Sequence, residues 1–328
     1  MRSGRALMES RILRRFLLHC KQNAGADPGK SRGRVANRCV WASSVTTDPM
    51  KITMTRIVFA VLILAAFPLA QATLRTWPGA APCDTTLSAC ITASAADDTV
   101  QVATNGPIDE APYLDKPLTL VAAPGFAPVI AAGHNLSAAI YPAAAGAWQV
   151  DIEGFTLLGG YVRLVGGSNG PGTFIVKSMR VTGSPTSVDN NAGIQVENYD
   201  AAHAMHYEIA DNVVRVTSTN QACSICTYAQ SSSTMIGSVH DNRIFPTGAA
   251  YGIYADLNGT NPSTAIYSNQ IRGGSGSFML YVFGQGTGAK AIVANNSIAC
   301  ADRTGFGINA VAIGAINASV FNNTVVHC

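Results

Sequence analysis

Charge is scarce in this sequence. Asp, Glu, Lys and Arg make up 12% of its 328 residues, and aromatic residues only 7%. With 48% hydrophobic residues, the chain is too apolar to be disordered, and its charge is low for a cytosolic enzyme. No apolar run reaches the roughly 20 residues of a membrane-spanning helix. No long helical period separates its repeating segments, which disfavours leucine-rich and tetratricopeptide solenoids. Cys223-Ser-Ile-Cys226 has no second pair at zinc-finger spacing, and one pair supplies too few ligands. Ser-His-Asp and P-loop signatures are missing.

The net charge of +3 hides an uneven split. Residues 1–49 hold ten Lys/Arg against Glu9, Asp27 and Asp48, while 50–328 hold twelve against sixteen Asp/Glu. A basic tail alone suggests nucleic acid, but the next segment explains it better. Residues 50–56 form a short basic head, Ile57 to Leu69 run apolar, and Ala70-Gln71-Ala72 has a cleavage pattern. Those are the parts of a secretory signal; a buried helix or an uncleaved anchor is the alternative. Residues 1–49 then read as a disordered extension from a start codon placed too early. Residues 50–72 read as the signal peptide, and the mature chain starts near Thr73. From there ten basic residues face sixteen acidic ones, which argues against nucleic acid. The expected location is secreted, periplasmic or cell-surface, with no membrane span after cleavage.

The cysteines agree with export. Apart from Cys20 and Cys39 there are six: Cys83, Cys90, Cys223, Cys226, Cys300 and Cys328. An even number in an exported chain suggests disulfides. Cys83 and Cys90 suit a local staple. Cys223 and Cys226 suit a structural disulfide or buried thiols, with a redox pair as the alternative.

The strongest signal is a repeat. Segments 152–157, 176–181, 209–214, 239–244, 266–271, 293–298 and 320–325 all begin with Ile or Val and end with Leu, Val or Ile. In the last five the fourth residue is Asn: Asn212, Asn242, Asn269, Asn296 and Asn323, spaced 30, 27, 27 and 27. Ahead of each lies a second string with apolar residues at period two: Ile194/Val196, Ile225/Thr227, Ile253/Ala255, Leu280/Val282 and Ile308/Ala310. Strand-only coils of about 27 residues describe a β-helix. The aliphatic residues of each corner string lie five apart, which would put them on opposite faces of a straight strand. Both reach the core only if the chain bends between them. Asn is assigned the left-handed backbone of that bend, and stacked Asn side chains are expected to hydrogen-bond along the axis.

This pattern resembles the pectate-lyase-like right-handed parallel β-helix superfamily, over roughly residues 97–328 and most strongly from Asn212 onward. The resemblance implies an all-β fold, a single-stranded right-handed parallel β-helix of about 7–9 coils. The helix proper is placed at 134–328, after an N-terminal cap and first coils at 73–133. Residues 86–96 read as a short capping helix with Leu87, Ile91 and Ala95 inward; 99–102 and 118–121 read as the first strands. A cap matters because an open end exposes sheet edges. At the other end a complete corner is followed by nothing that covers the last coil, so either another chain covers it or the sequence is truncated, and truncation is the expectation. Cys300 and Cys328 follow successive corner Asn, on coils about 4.8 Å apart, close enough to pair.

Parity assigns the faces of the second strings. Tyr251, Phe278 and Phe306 share the inward parity and read as a core row. Tyr254, Tyr281 and Asn309 face outward, one above another, with Asp256 and Gln195 on the same outer face. Aromatic rings and hydrogen-bonding groups there make a candidate sugar-binding surface, against the plainer reading of exposed Tyr on a sheet. Uronan lyases that resemble this fold use acidic residues to hold calcium and an Arg or Lys as base. Asp211, Asp241, His240, Arg215 and Arg243 are the candidates here, although a residue just before a corner also suits a turn. Hydrolysis would need clustered carboxylates, and no paired motif lies on the strands. Asp97-Asp98 precedes the first strand and is discounted. His203 and His206 lack a third metal ligand.

Three functions remain open. The first is a surface or extracellular protein that contacts polysaccharide without a recognisable catalytic site or cofactor. The second is a lyase or hydrolase of an acidic polysaccharide, with calcium in the lyase case. The third is a scaffold.

Overall fold

A computed structural model describes residues 72–328, except 142–145, 168–169, 184–192, 219–221, 230–232, 275–277 and 315. The assignments to 1–49 and to the signal peptide up to residue 71 lie outside the described residues. The rest is a parallel β-solenoid of about eight coils. Each coil has three strands, as in Thr234–His240, Arg243–Gly248 and Tyr251–Leu257, before the next begins at Ser263. Stacked coils form three sheets of ten, nine and eight strands. The first runs from Leu74–Trp77 to Ile316–Phe321, the second from Pro107–Ile108 to Thr324–Val326, and the third from Tyr113–Leu114 to Phe306–Ala312. Neighbours pair in parallel with the repeat in register: Val239 on Ile266, Ile253 on Leu280, Ile271 on Ile298.

The aliphatic pairs fill the interior as the repeat predicts in all but the last coil, where Val320 and Val325 are 49% and 42% exposed. Ile152, Leu157, Ile209, Val214, Val239, Ile244, Ile266 and Ile271 are all fully buried. The bend is made differently from the expectation. The residue with positive φ is the third of each string. It precedes the Asn as Asp211 (58°), Asp241 (56°), Ser268 (58°), Asn295 (58°) and Asn322 (53°), and in the two earlier strings it is Ser178 (57°) before Met179 and Gly154 (87°) before Phe155. Turning there swings the next side chain inward. Asn212, Asn242, Asn269 and Asn296 are thereby buried, at 0–1% exposure, and link into a ladder. The Nδ2 of Asn212 donates to Oδ1 of Asn242 at 2.9 Å, Asn242 to Asn269 at 2.9 Å, Asn269 to Asn296 at 3.0 Å and Asn296 to Asn323 at 2.9 Å. Each Oδ1 also accepts the backbone N–H of the preceding Asn. Small turn-formers therefore occupy one position, and the amide that replaces lost strand hydrogen bonds occupies the next.

The N-terminal cap is as expected but shorter. One helix, Leu87–Ala93, has Thr86 as N-cap, and its Leu87 and Ile91 are buried. The Glu110 carboxylate accepts from the backbone N–H of Leu87 and Ser88, at 2.8 and 2.9 Å, where helix N-termini favour negative charge. Ala95, expected inward, lies beyond the helix end and is exposed. Asp98 is a structural anchor: it accepts from the backbone of Thr73 and Ala95, at 2.7 and 2.8 Å, and from Arg75. Burial works against its ionised form, but these donors win and hold its pKa below the ordinary range. Cys83–Cys90, Cys223–Cys226 and Cys300–Cys328 are disulfides.

Candidate functional site

The outer face of the third sheet carries most of the expected residues. Strand register puts Arg163, Gln195, Cys226, Tyr254, Tyr281 and Asn309 in one column. A second column, two residues on, contains Val165, Glu197, Tyr228, Asp256, Phe283 and Val311. Gln195, Tyr254, Asp256, Tyr281 and Asn309 thus share one face, as the parity argument placed them.

The predicted inward row is a correction. Tyr251, Phe278 and Phe306 stand outside, Phe306 at 58% exposure, while Gly252 and Met279 beside them are buried. Two adjacent residues turn inward here, so the strand bends and the alternation resets. The ladder skips this place: Tyr251 pairs with Cys223, and pairing resumes at Ile253 with Ile225. A Cβ on Gly252 would overlap the carbonyl oxygen of Met279, and one on Gly193 that of Ser224. The available signal was glycine directly before the core aliphatic residue, in Gly193-Ile194, Gly252-Ile253 and Gly307-Ile308.

The reset enlarges the aromatic surface. Tyr254 lies 5.2 Å from Tyr228 and 5.3 Å from Tyr281, ring centre to ring centre. Tyr251 lies 6.2 Å from both Tyr254 and Tyr281, Phe278 5.0 Å from Tyr281, and Phe306 4.8 Å from Phe278. Tyr254 and Tyr281 are stacked, with 28° between their planes. Their faces therefore cover each other, and the row offers ring edges and hydroxyls.

Polar groups flank the rings. Glu197 is 2% exposed and accepts from Arg163 Nε at 2.7 Å, Gln195 Nε2 at 2.6 Å and the Tyr199 hydroxyl at 2.6 Å. The hydrogen bond to Glu197 raises the Arg163 pKa. Asp256 has no such partner. Burial among aromatic residues pushes its carboxyl up to about 7, and its Oδ1 is shielded and unbonded, as is Oε1 of Gln195. Burial, with the Asp256 charge nearby, pushes Tyr228 up to about 12 and also raises Tyr254. These phenols stay protonated at neutral pH.

A second cluster stands on the outer face of the first sheet. His240 directs Nδ1 at Asp241, 2.8 Å, and Nε2 at Glu208, 3.3 Å. Its ring stacks on Tyr267 at 4.7 Å, and Lys177 bonds Glu208 at 2.9 Å. Burial opposes ionisation of Glu208, but Lys177 and His240 outweigh it and lower the pKa. Asp151 is raised by burial, then by Glu153. Of the sequence candidates, His240 and Asp241 meet here. Lys177 and Asp151 were missed because their coils lack the Asn signature, and Glu208, although its coil carries Asn212, because nothing in the sequence shows that Lys177 and His240 reach it. Asp211 occupies the equivalent bend one coil earlier. Arg215 and Arg243 stand beyond the corner on the second sheet, Arg215 over the Phe245 ring at 4.1 Å. His203 bonds Asp200 at 2.6 Å, and His206 is exposed on its strand.

Comparison with known proteins identifies no relative: no family model, curated protein or solved structure matches the chain. Among the described residues no His, Cys, Asp and Glu group forms a metal site, and no helix is long and apolar enough to cross a membrane.

Proposed function

We propose that this is an exported right-handed β-helix of the pectate-lyase-like kind that contacts polysaccharide through the outer face of its third sheet, as a surface or extracellular binding protein. The observation that carries the reading is the continuous surface from Gln195 to Phe306. Tyrosine hydroxyls and ring edges lie in register there beside two shielded oxygens, of Gln195 and Asp256, that lack partners. Buried acceptors without partners are costly, and sugar hydroxyls would satisfy them. A regular row of rungs also suits a polymer, whose units repeat as the strands do. Three disulfides accord with an oxidising compartment.

The test is affinity electrophoresis of the protein through gels containing soluble polysaccharides. Binding should retard the protein, and Tyr254→Ala with Tyr281→Ala should weaken retardation about tenfold or more, as loss of interface aromatics does. Normal mobility in every polysaccharide would end the proposal.

One observation favours the enzyme alternative. Lys177 and His240 lie among Asp151, Glu208 and Asp241 on the first sheet, a set able to move protons. Ultraviolet absorbance rising on incubation with uronic-acid polymers and calcium, and lost in Lys177→Ala, would establish lyase action.

A further inference from the structure

We infer that the third-sheet face selects uncharged glycans over anionic ones, and that Asp256 and Gln195 are the residues that read the sugar hydroxyls. The inference rests on the glycan-binding reading above and narrows its ligand class.

The first ground is charge. Among the described residues, Arg163 is the only basic side chain on the outward columns of these strands. Glu197 already engages it through two hydrogen bonds, at 2.7 and 3.3 Å. A uronate or sulfated sugar would therefore bring its charge to a surface with no free cation. It would also approach Glu197, which is 2% exposed, and Asp256. An anion desolvated without a counter-charge is strongly disfavoured.

The second ground is hydrogen-bonding capacity. Gln195 is 6% exposed, and its Nε2 is committed to Glu197, so its Oε1 is left over as an acceptor. Asp256 lies one strand beyond Tyr228 and beside Phe283 of the next strand, with Oδ1 likewise unpartnered. The titratable groups that interact with Asp256 are Tyr228 and Tyr254, with Tyr281 beyond Tyr254 and Glu197 two strands away. None is a cation. As a neutral acid, Asp256 both donates to and accepts from a hydroxyl. As an anion it only accepts, and no cation faces it to compensate the charge.

The third ground is ring geometry. Stacking closes to a sugar the faces that Tyr254 and Tyr281 turn toward each other. Recognition then falls to hydroxyls and carboxyl oxygens, and a site built to hydrogen-bond hydroxyls rejects ligands that leave those groups unpaired.

The experiment measures retardation of the full chain in gels containing a neutral β-glucan or galactomannan, against polygalacturonate or alginate, at roughly pH 5 and pH 8. The neutral polymers should retard at the lower pH and bind several-fold more weakly at the higher one. Gln195→Ala should weaken binding about tenfold at both, as expected for loss of one well-placed hydrogen bond. Asp256→Asn should abolish the difference between the two pH values. Equal or stronger retardation by polygalacturonate, or a wild-type pH difference in Asp256→Asn, overturns the inference. If polygalacturonate retards and Tyr254→Ala abolishes it, the face still binds glycan and only the neutral-ligand inference falls. If no polymer retards, both fall.

Discussion

Replacing Asn269 by Ala tests the element that shapes every later coil. The side chain is fully buried. Its Oδ1 accepts from the backbone N and Nδ2 of Asn242, at 3.1 and 2.9 Å. Its Nδ2 donates to the carbonyls of Val239 and Tyr267, at 2.9 and 3.0 Å, and to Asn296. Truncation strands the Asn242 amide N–H and the Val239 carbonyl inside the protein, and each stranded group costs about 1–3 kcal/mol. The expected loss is roughly 3–5 kcal/mol, since some of the gap can relax. Asn323 is half-buried, and its Nδ2 bonds the carbonyls of Val293 and Phe321 at 2.8 and 3.0 Å. Water can replace part of its bonding, so Asn323→Ala should cost only about 1–2 kcal/mol. Urea unfolding of the oxidised protein, followed by circular dichroism, measures both losses. Equal losses in the two variants, or less than about 1 kcal/mol for Asn269→Ala, would refute the account of the ladder as an interdependent buried network.

Asp256 makes stability depend on pH. Its carboxyl titrates near 7 in the fold, against 3.8 for an unperturbed aspartate. Between those values the native state keeps a proton that the unfolded chain has lost, so stability falls as pH rises and the penalty is complete above about 7. Asp256→Asn should match the wild type near pH 4 and exceed it near pH 8, by roughly 1–2 kcal/mol after allowance for solvent screening; thermal melts at both values check this, and a flat difference contradicts it. Cys300–Cys328 closes a separation of 28 residues, so Cys300→Ser should cost about 3–4 kcal/mol on the chain-entropy account. An unchanged urea midpoint for that variant would mean the last coil contributes nothing to the stability of the rest.

The coil architecture was legible because it depends on spacing alone. Two aliphatic residues five apart cannot share a face of a straight strand, and a repeat near 27 residues forces each bend onto the one before. The Asn ladder was legible for the same reason; short separation and adjacent coils made Cys83–Cys90 and Cys300–Cys328 reasonable pairs, but only the structure decided that Cys223 and Cys226 are bonded rather than free thiols. Local chemistry was less legible. Which of two neighbouring residues takes positive φ depends on which side chain the interior can satisfy, so the role given to Asn212 belongs to Asp211, and that given to Asn242 to Asp241. Parity counting also failed at Tyr251, Phe278 and Phe306, because it assumes unbroken alternation and Gly252 marks a break. The candidate face was half visible: Tyr254, Tyr281, Asn309, Asp256 and Gln195 could be placed by register. Nothing in their order revealed that Glu197 holds Arg163, that Asp256 lacks a partner, or that Lys177 reaches Glu208 from the neighbouring coil. The sequence by itself determined the repeat, the direction of its aliphatic side chains and hence the solenoid. Only the tertiary structure decided which polar groups meet, because hydrogen bonds between coils join residues some thirty positions apart whose side-chain reach and burial no periodicity encodes.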